Sequence, residues 1–312
     1  MSRTRIAIVG LALLTNPMAF ATDSVGDPPG RTNSGLARTE EPRRLARSDA
    51  KPNATESAAE SGPKKVLILP GESFFVSGRP AFILRPAESK RQTPQPWIFY
   101  APTLPAYPDI HEKWMHEQFL NAGVAVAGID VGEAYGSPKG RELFNALYRE
   151  LTENRGFAKR PCLLGRSRGG LWVTSWAAAN PAKVAGIAGI YPVFDFRTYP
   201  GLEKAAPAYD LTPQELEAQV TRHNPIEGAA VLAAHHVPVF IIHGDEDKVV
   251  PLKENSAELA RRYQAAGAAE DVTLQVVKGQ GHNFWEGFFR CQPLVDFAIA
   301  RAQSGATTPP EK

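Results

Sequence analysis

The residues of this 312-residue chain best suited to chemistry lie in Pro161-Cys162-Leu163-Leu164-Gly165-Arg166-Ser167-Arg168-Gly169-Gly170. A serine hydroxyl attacks a carbonyl only when a neighbouring imidazole takes its proton. Here Gly-x-Ser-x-Gly follows a short apolar run, 162–164, and precedes 171–179, whose composition suits a helix. Strand, tight turn and helix would expose the Ser167 hydroxyl above a sheet. They would also set it at a helix N-terminus, where free N–H groups favour a developing negative charge. Glycine at 165 and 169 fits a turn so tight that a side chain would collide with neighbouring backbone.

Partners for the serine lie downstream. Residues 237–242 read as an apolar strand running into His243-Gly244-Asp245-Glu246-Asp247-Lys248-Val249-Val250-Pro251. Residues 272–277 read as another, followed by Lys278-Gly279-Gln280-Gly281-His282-Asn283. His282 is the candidate general base. The acid that orients it is drawn from Asp245, Glu246 and Asp247 on one loop, or from Asp195 after an earlier strand.

The chain order serine, acid, histidine is that of the α/β-hydrolases. The motifs H-G-x-x-D-x-x-V-P and G-x-G-H resemble the branch containing prolyl-oligopeptidase catalytic domains, dienelactone hydrolases and acetylxylan-type esterases. The resemblance covers roughly residues 64–303. It implies an α/β-hydrolase fold and a Ser167, Asp247, His282 triad, with Asp195 as the alternative acid. It also implies an oxyanion hole, with the Arg168 N–H as first donor. The second would come from the loop after the third strand, where relatives often read His-Gly-Gly. This chain instead has prolines at 102, 105 and 108, which lack an N–H, so Thr103 or Leu104 is expected to donate.

Arg166 and Arg168 flank the serine. One guanidinium could hold a substrate carboxylate, or both could pair with acidic residues such as Glu133 or Asp130. Trp285, Phe284 and Tyr135 are expected to line the substrate pocket. His243 reads as a loop brace. His111 and His116 have the wrong spacing for one helix face, and His235-His236 lacks carboxylate company. No metal and no cofactor is therefore expected.

Apolar strands alternating with helices imply a mostly parallel sheet covered on both faces. Strands are expected at 66–69 and 81–84, joined by a Gly-rich connection, and at 97–101, 124–130 and 184–190. Helices are expected at 110–121, 140–153, 252–264 and 288–302. About 45 residues, 191–236, separate two strands above the serine, longer than the usual connection, and read as a small lid. Thr212-Pro213-Gln214-Glu215 starts a helix within it.

The chain is 43% hydrophobic and 22% charged, enough for one large core, and its formal charge of +2 gives no case for nucleic acid. Residues 1–21 carry Arg3, Arg5, an apolar stretch and Ala19-Phe20-Ala21, the pattern of a secretory signal cleaved after Ala21. Its apolar stretch is too short for stable membrane insertion. Residues 22–63 and 304–312 are poor in large apolar groups and read as a disordered linker and tail. Cys162 and Cys291 are expected to be free and buried.

The sequence thus points to a secreted or periplasmic serine hydrolase acting on carboxylic esters, small or carbohydrate-borne, through an acyl-enzyme. A peptidase of the prolyl-oligopeptidase type without its propeller is the second reading, and a non-catalytic binding protein of this fold the third.

Overall fold

The computed structural model describes residues 64–307. The expected signal segment 1–21, the linker 22–63 and residues 308–312 of the tail lie outside the described residues. Eight strands follow in chain order: β1 (Gly71–Val76), β2 (Arg79–Leu84), β3 (Trp97–Ala101), β4 (Ala125–Ile129), β5 (Cys162–Arg166), β6 (Gly186–Ile190), β7 (Val239–Gly244) and β8 (Val272–Val277). They form one sheet in the order β1-β2-β4-β3-β5-β6-β7-β8. β2 runs antiparallel to both its neighbours, and all other pairs are parallel. This is the open, mostly parallel sheet that the alternating elements imply.

The helices are α1 (Lys113–Asn121), α2 (Pro138–Arg149), α3 (Gly169–Ala179), α4 (Leu202–Ala205), α5 (Pro213–Ala218), α6 (Val220–His223), α7 (Ala229–Ala234), α8 (Ser256–Ala265), α9 (Glu286–Phe289) and α10 (Gln292–Thr307). Side chains on a strand alternate faces, and the core divides accordingly. Trp97, Phe99, Leu163 and Ile241 join one apolar cluster with Phe144 of α2, Trp176 of α3 and Leu259 of α8. Ile98, Tyr100, Leu164 and Ile242 join the other with Phe119 of α1 and Leu294 and Ala298 of α10. Because β3 to β7 are buried on both faces, they read as largely apolar runs.

Two expectations are corrected. No strand forms over 66–69; the expected Gly-rich connection itself contains β1. Ser77 and Gly78 both have positive φ, 50° and 71°, so they make a two-residue hairpin turn. That turn fixes which segment pairs with β2, and Val76 falls opposite Arg79. Residues 67–69 pack their side chains against the second cluster without joining the sheet. At the other end, α10 continues to Thr307, past the boundary at 303. Propensity alone did not show this. The extra turn is held by burial of Gly305 and by a bond from Gln303 Nε2 to the Ala122 carbonyl, 3.1 Å.

The 191–236 excursion contains α4 to α7, and α5 opens with the expected capping box between Thr212 and Glu215. Phe194, Phe196, Leu216 and Ile226 bury it against the α3 side of the sheet. α3 is consequently apolar all round, with sheet on one side and this layer on the other.

The α10 terminus supplies a test. A methyl on Gly305 would fall 1.9 Å from the Arg160 carbonyl oxygen. Gly305→Ala should therefore cost about 1–3 kcal/mol, the usual range for overpacking. Thermal denaturation unchanged from wild type would show that this contact is dispensable.

Candidate active site

The serine turn is built by close backbone approach. A Cβ on Gly169 would lie 2.2 Å from the Ala101 carbonyl oxygen, and one on Gly170 2.5 Å from that of Val193. Ser167 sits at φ 50°, a left-handed conformation that a non-glycine residue adopts only when its surroundings hold it there. The surroundings do so: its N–H donates to the Ile190 carbonyl, 3.0 Å. Its own carbonyl accepts from Val193 and Gly170, 2.8 and 3.0 Å.

Ser167 Oγ lies 2.9 Å from His282 Nε2, and His282 Nδ1 lies 2.7 Å from Asp247 Oδ2. Asp247 Oδ1 accepts from the N–H groups of Val249 and Val250, 2.9 and 2.7 Å, which fixes the carboxylate plane. Burial would raise the Asp247 carboxyl, but hydrogen bonds from His243, His282 and Val250 outweigh it and hold it well below the usual carboxylate range. Asp247 therefore stays ionised at working pH. Its stabilising contribution is full above the ordinary carboxylate pKa and is lost as pH falls through the depressed value.

His243 braces the acid loop. Its Nδ1 meets the Ser256 hydroxyl at 2.7 Å, while Nε2 faces the Val250 carbonyl at 2.9 Å and Asp247 at 3.3 Å. Two acceptors at Nε2 place the proton there, and Ser256 donates to Nδ1. Asp195, the alternative acid, is elsewhere. It binds Arg197 and the Asn224 amide and makes no contact with His282. It braces the start of the excursion.

Around Ser167 and His282 lies a pocket of about 190 Å³. Its wall includes Tyr107, Arg168, Tyr191, Tyr199, Val249, Asn283 and Phe284. Tyr191 packs on the His282 imidazole, with ring centroids 4.3 Å apart. Tyr191 and Tyr199 are the excursion's share of the wall. Neither carries a sequence signal beyond its position after β6.

Several expected residues are placed differently. Thr103 is fully buried, with its hydroxyl filling the space above Gly128, and Leu104 gives its carbonyl to Lys65. Lys65 also bonds the Pro105 carbonyl, 2.9 Å, so this segment is drawn away from the pocket and neither Thr103 nor Leu104 lines it. From the same loop, Pro102 and Tyr107 reach the wall instead. The Arg168 N–H makes no hydrogen bond among the described residues and remains free for an oxyanion. Trp285 packs edge-on against Phe288, and Tyr135 is buried with its carbonyl accepting from Tyr209. Neither Trp285 nor Tyr135 lines the pocket, whereas Phe284 does.

The arginines are both committed. Arg168 pairs with Glu133, one of the expected acidic partners, while Asp130 is taken by Arg79 at 2.9 Å. Arg166 is buried, with its guanidinium 2.9 Å from Asp109 and 2.8 Å from Glu112, facing the rings of Tyr107, Phe284 and Phe289. It is therefore not free to hold a substrate carboxylate. Glu112 is fully buried and also bonds the Tyr100 hydroxyl; burial pushes its carboxyl up against the pull of Arg166. Asp109 and Glu112 form the capping box before α1, a Asp-x-x-Glu signature visible in the sequence. Their pairing with Arg166 was not.

Cys162 and Cys291 are buried and form no disulfide. His236 does acquire carboxylate company, correcting the sequence reading. Its Nδ1 is 2.8 Å from Asp271, with Glu270 close by, in an exposed cluster remote from Ser167 in the fold. Exposed groups of this kind are common without an ion, and the cluster alone marks no metal centre.

Two comparisons test these assignments. Asp247→Asn should slow fluorophosphonate labelling and turnover by about four orders of magnitude, while Asp195→Asn costs far less. The reverse order would move the acid to Asp195. Arg166→Met strands Glu112 and should cost about 3–5 kcal/mol in thermal denaturation, whereas Arg168→Ala, losing a half-exposed pair, should cost less than about 1 kcal/mol.

Among curated proteins, none matches the sequence. Solved structures with the same fold include a puromycin-hydrolyzing peptidase of Mycobacterium tuberculosis, 15% identical with a TM-score of 0.57. The match covers 78% of this chain and 41% of the peptidase, so the chain spans less than half of that protein's length. Est1E from Butyrivibrio proteoclasticus is 18% identical with a TM-score of 0.56, covering 74% of this chain and 98% of that one. MPT51 (FbpC1) of Mycobacterium tuberculosis is 15% identical with a TM-score of 0.57, covering 74% and 98%. Residues 118–293, more than half of the chain, match the prolyl oligopeptidase family model. The chain belongs to the prolyl oligopeptidase family and is a serine hydrolase.

Proposed function

We propose that this hydrolase is exported and cleaves neutral carboxylic esters, small or carried on carbohydrate, through a Ser167 acyl-enzyme. Ser167 Oγ attacks the ester carbonyl as its proton passes to His282 Nε2. Asp247 holds the other ring nitrogen and stabilises the imidazolium. The tetrahedral oxyanion faces the free Arg168 N–H. The second donor is the phenol of Tyr107, which the loop after β3 sets on the wall where Thr103 and Leu104 are not. Collapse expels the alcohol, which takes the proton from Nε2. Water then enters, gives its proton to His282, and releases the acid with Ser167 restored.

The observation that carries the neutral-ester reading is the state of the charges at the wall. Arg166 and Arg168 are each bound to carboxylates, so neither arginine is left free to anchor a charged substrate or a peptide terminus. The family description and the puromycin-hydrolyzing relative favour a peptidase as second reading. Export rests on residues 1–21 alone, and a mature protein beginning at Thr22 is its expected signature.

Parallel panels of neutral esters, acidic esters, acetylated oligosaccharides and peptides decide between these readings. Neutral esters should be turned over fastest, and Ser167→Ala should abolish both turnover and phosphonate labelling. Peptides cleaved as fast as esters would overturn the ester reading. Tyr107→Phe should lower kcat by about a hundredfold with little change in KM. A change in KM alone would remove Tyr107 from the oxyanion hole.

A further inference from the structure

The pocket around Ser167 is small. Its volume of about 190 Å³ is below the roughly 300–1,000 Å³ usual for a site that encloses a ligand. Directly beyond Phe284 lies a second, larger depression of about 440 Å³, formed by Ile110, His111, Trp114, Phe284 and Phe289 with charged residues at its rim. Phe284 belongs to both walls. Its ring is stacked on His111, with centroids 4.3 Å apart and planes at 14°, and is still 56% exposed. The two depressions are thus separated by one side chain whose outer surface is open.

The trough's lining mixes four apolar side chains, Ile110, Trp114, Phe284 and Phe289, with His111 and four charged ones, Lys113, Glu117, Glu286 and Arg290. Ile110 is 68% exposed and shares the trough's wall with the exposed Phe284 ring, so the two leave apolar surface open side by side. The rim charges cancel in pairs: Lys113 with Glu117, and Arg290 with Glu286. No uncompensated charge faces the trough to select an ion. Val249, another exposed apolar side chain, lies on the wall of the Ser167 pocket, and Trp285 follows Phe284 in the chain.

We propose that this trough is a substrate subsite that receives a neutral apolar arm, an aromatic ring or a short alkyl chain, attached to the group reacting at Ser167. The inference rests on the hydrolase reading above and adds the substrate class. The reacting carbonyl occupies the small pocket, and the arm crosses Phe284 to cover Ile110 and Trp114. Burying a ring-sized arm should raise the rate of reaction about tenfold or more.

Phosphonofluoridates test this without assuming an ester substrate. One carries only ethyl groups; two others carry a 4-phenylbutyl arm on the alkyl or on the alkoxy position. An armed probe should label the wild-type protein at least about tenfold faster than the ethyl probe. In Ile110→Asp, at a surface position where folding is not at stake, the ratio of armed to ethyl rates should fall at least about fivefold. Equal rates for all probes on wild type, or an undiminished ratio in Ile110→Asp, would overturn the subsite. So would a probe with a sugar arm gaining where the phenylbutyl arm does not. No labelling by any probe would reject Ser167 as nucleophile and the subsite with it. The expected labelling pattern without ester turnover would reject the ester reading alone.

Discussion

The structure depends on how closely the first turn of α3 approaches the ends of β3 and β6. At Gly169 and Gly170 there is no space for a single methyl group before the carbonyls of Ala101 and Val193. Protein interiors do not compress to accept such an atom, so a side chain there would have to lift the helix. Lifting it would release the strained Ser167, move its hydroxyl relative to His282, and withdraw the Arg168 N–H. The positions of the Ser167 hydroxyl and the Arg168 N–H are therefore set by the same two close contacts.

The loops that complete the site are held by buried polar groups rather than by apolar packing. Arg166, next to the serine, ties Asp109 and Glu112 to the nucleophile strand, and Tyr100 of β3 closes the same network. Asp247 is held in turn by two backbone N–H groups and by His243, itself fixed by Ser256 at the start of α8. Such networks contribute little net stability when complete and cost several kcal/mol, about 3–5, when one member is lost. Their role is geometric. They set three loops from distant parts of the chain around one pocket with little freedom to rearrange.

What surrounds this framework determines what it can accept. The charges near the serine are used internally, the immediate pocket is small, and the open side leads over Phe284 to a depression lined by apolar side chains and paired charges. A rigid reactive centre with a tolerant neighbouring surface is how one fold serves different substrates, and here the neighbouring surface comes from α1, the turn before it and the segment after His282.

The sequence by itself marked seven of the eight strands, β2 to β8, and the serine and imidazole that the structure brings within hydrogen-bond distance, with the acid narrowed to a few carboxylates. Gly-x-Ser-x-Gly admits only glycine where backbones touch, a buried parallel strand needs an unbroken apolar run, and the loop motifs place an acid and an imidazole after successive strands. These are local patterns, each readable within about ten residues. The tertiary structure decided what depends on contacts between distant segments. It put Arg166 against Asp109 and Glu112, 57 and 54 positions away. It drew Thr103 and Leu104 from the pocket through Lys65, and brought in Tyr107, Tyr191 and Tyr199 instead of Tyr135 and Trp285. It also made a strand of 71–76 and lengthened the last helix, because a hairpin turn and a buried glycine contact outweighed local composition. A side chain's type fixes what it can bind, but which partner reaches it is settled only when the loops are folded against one another.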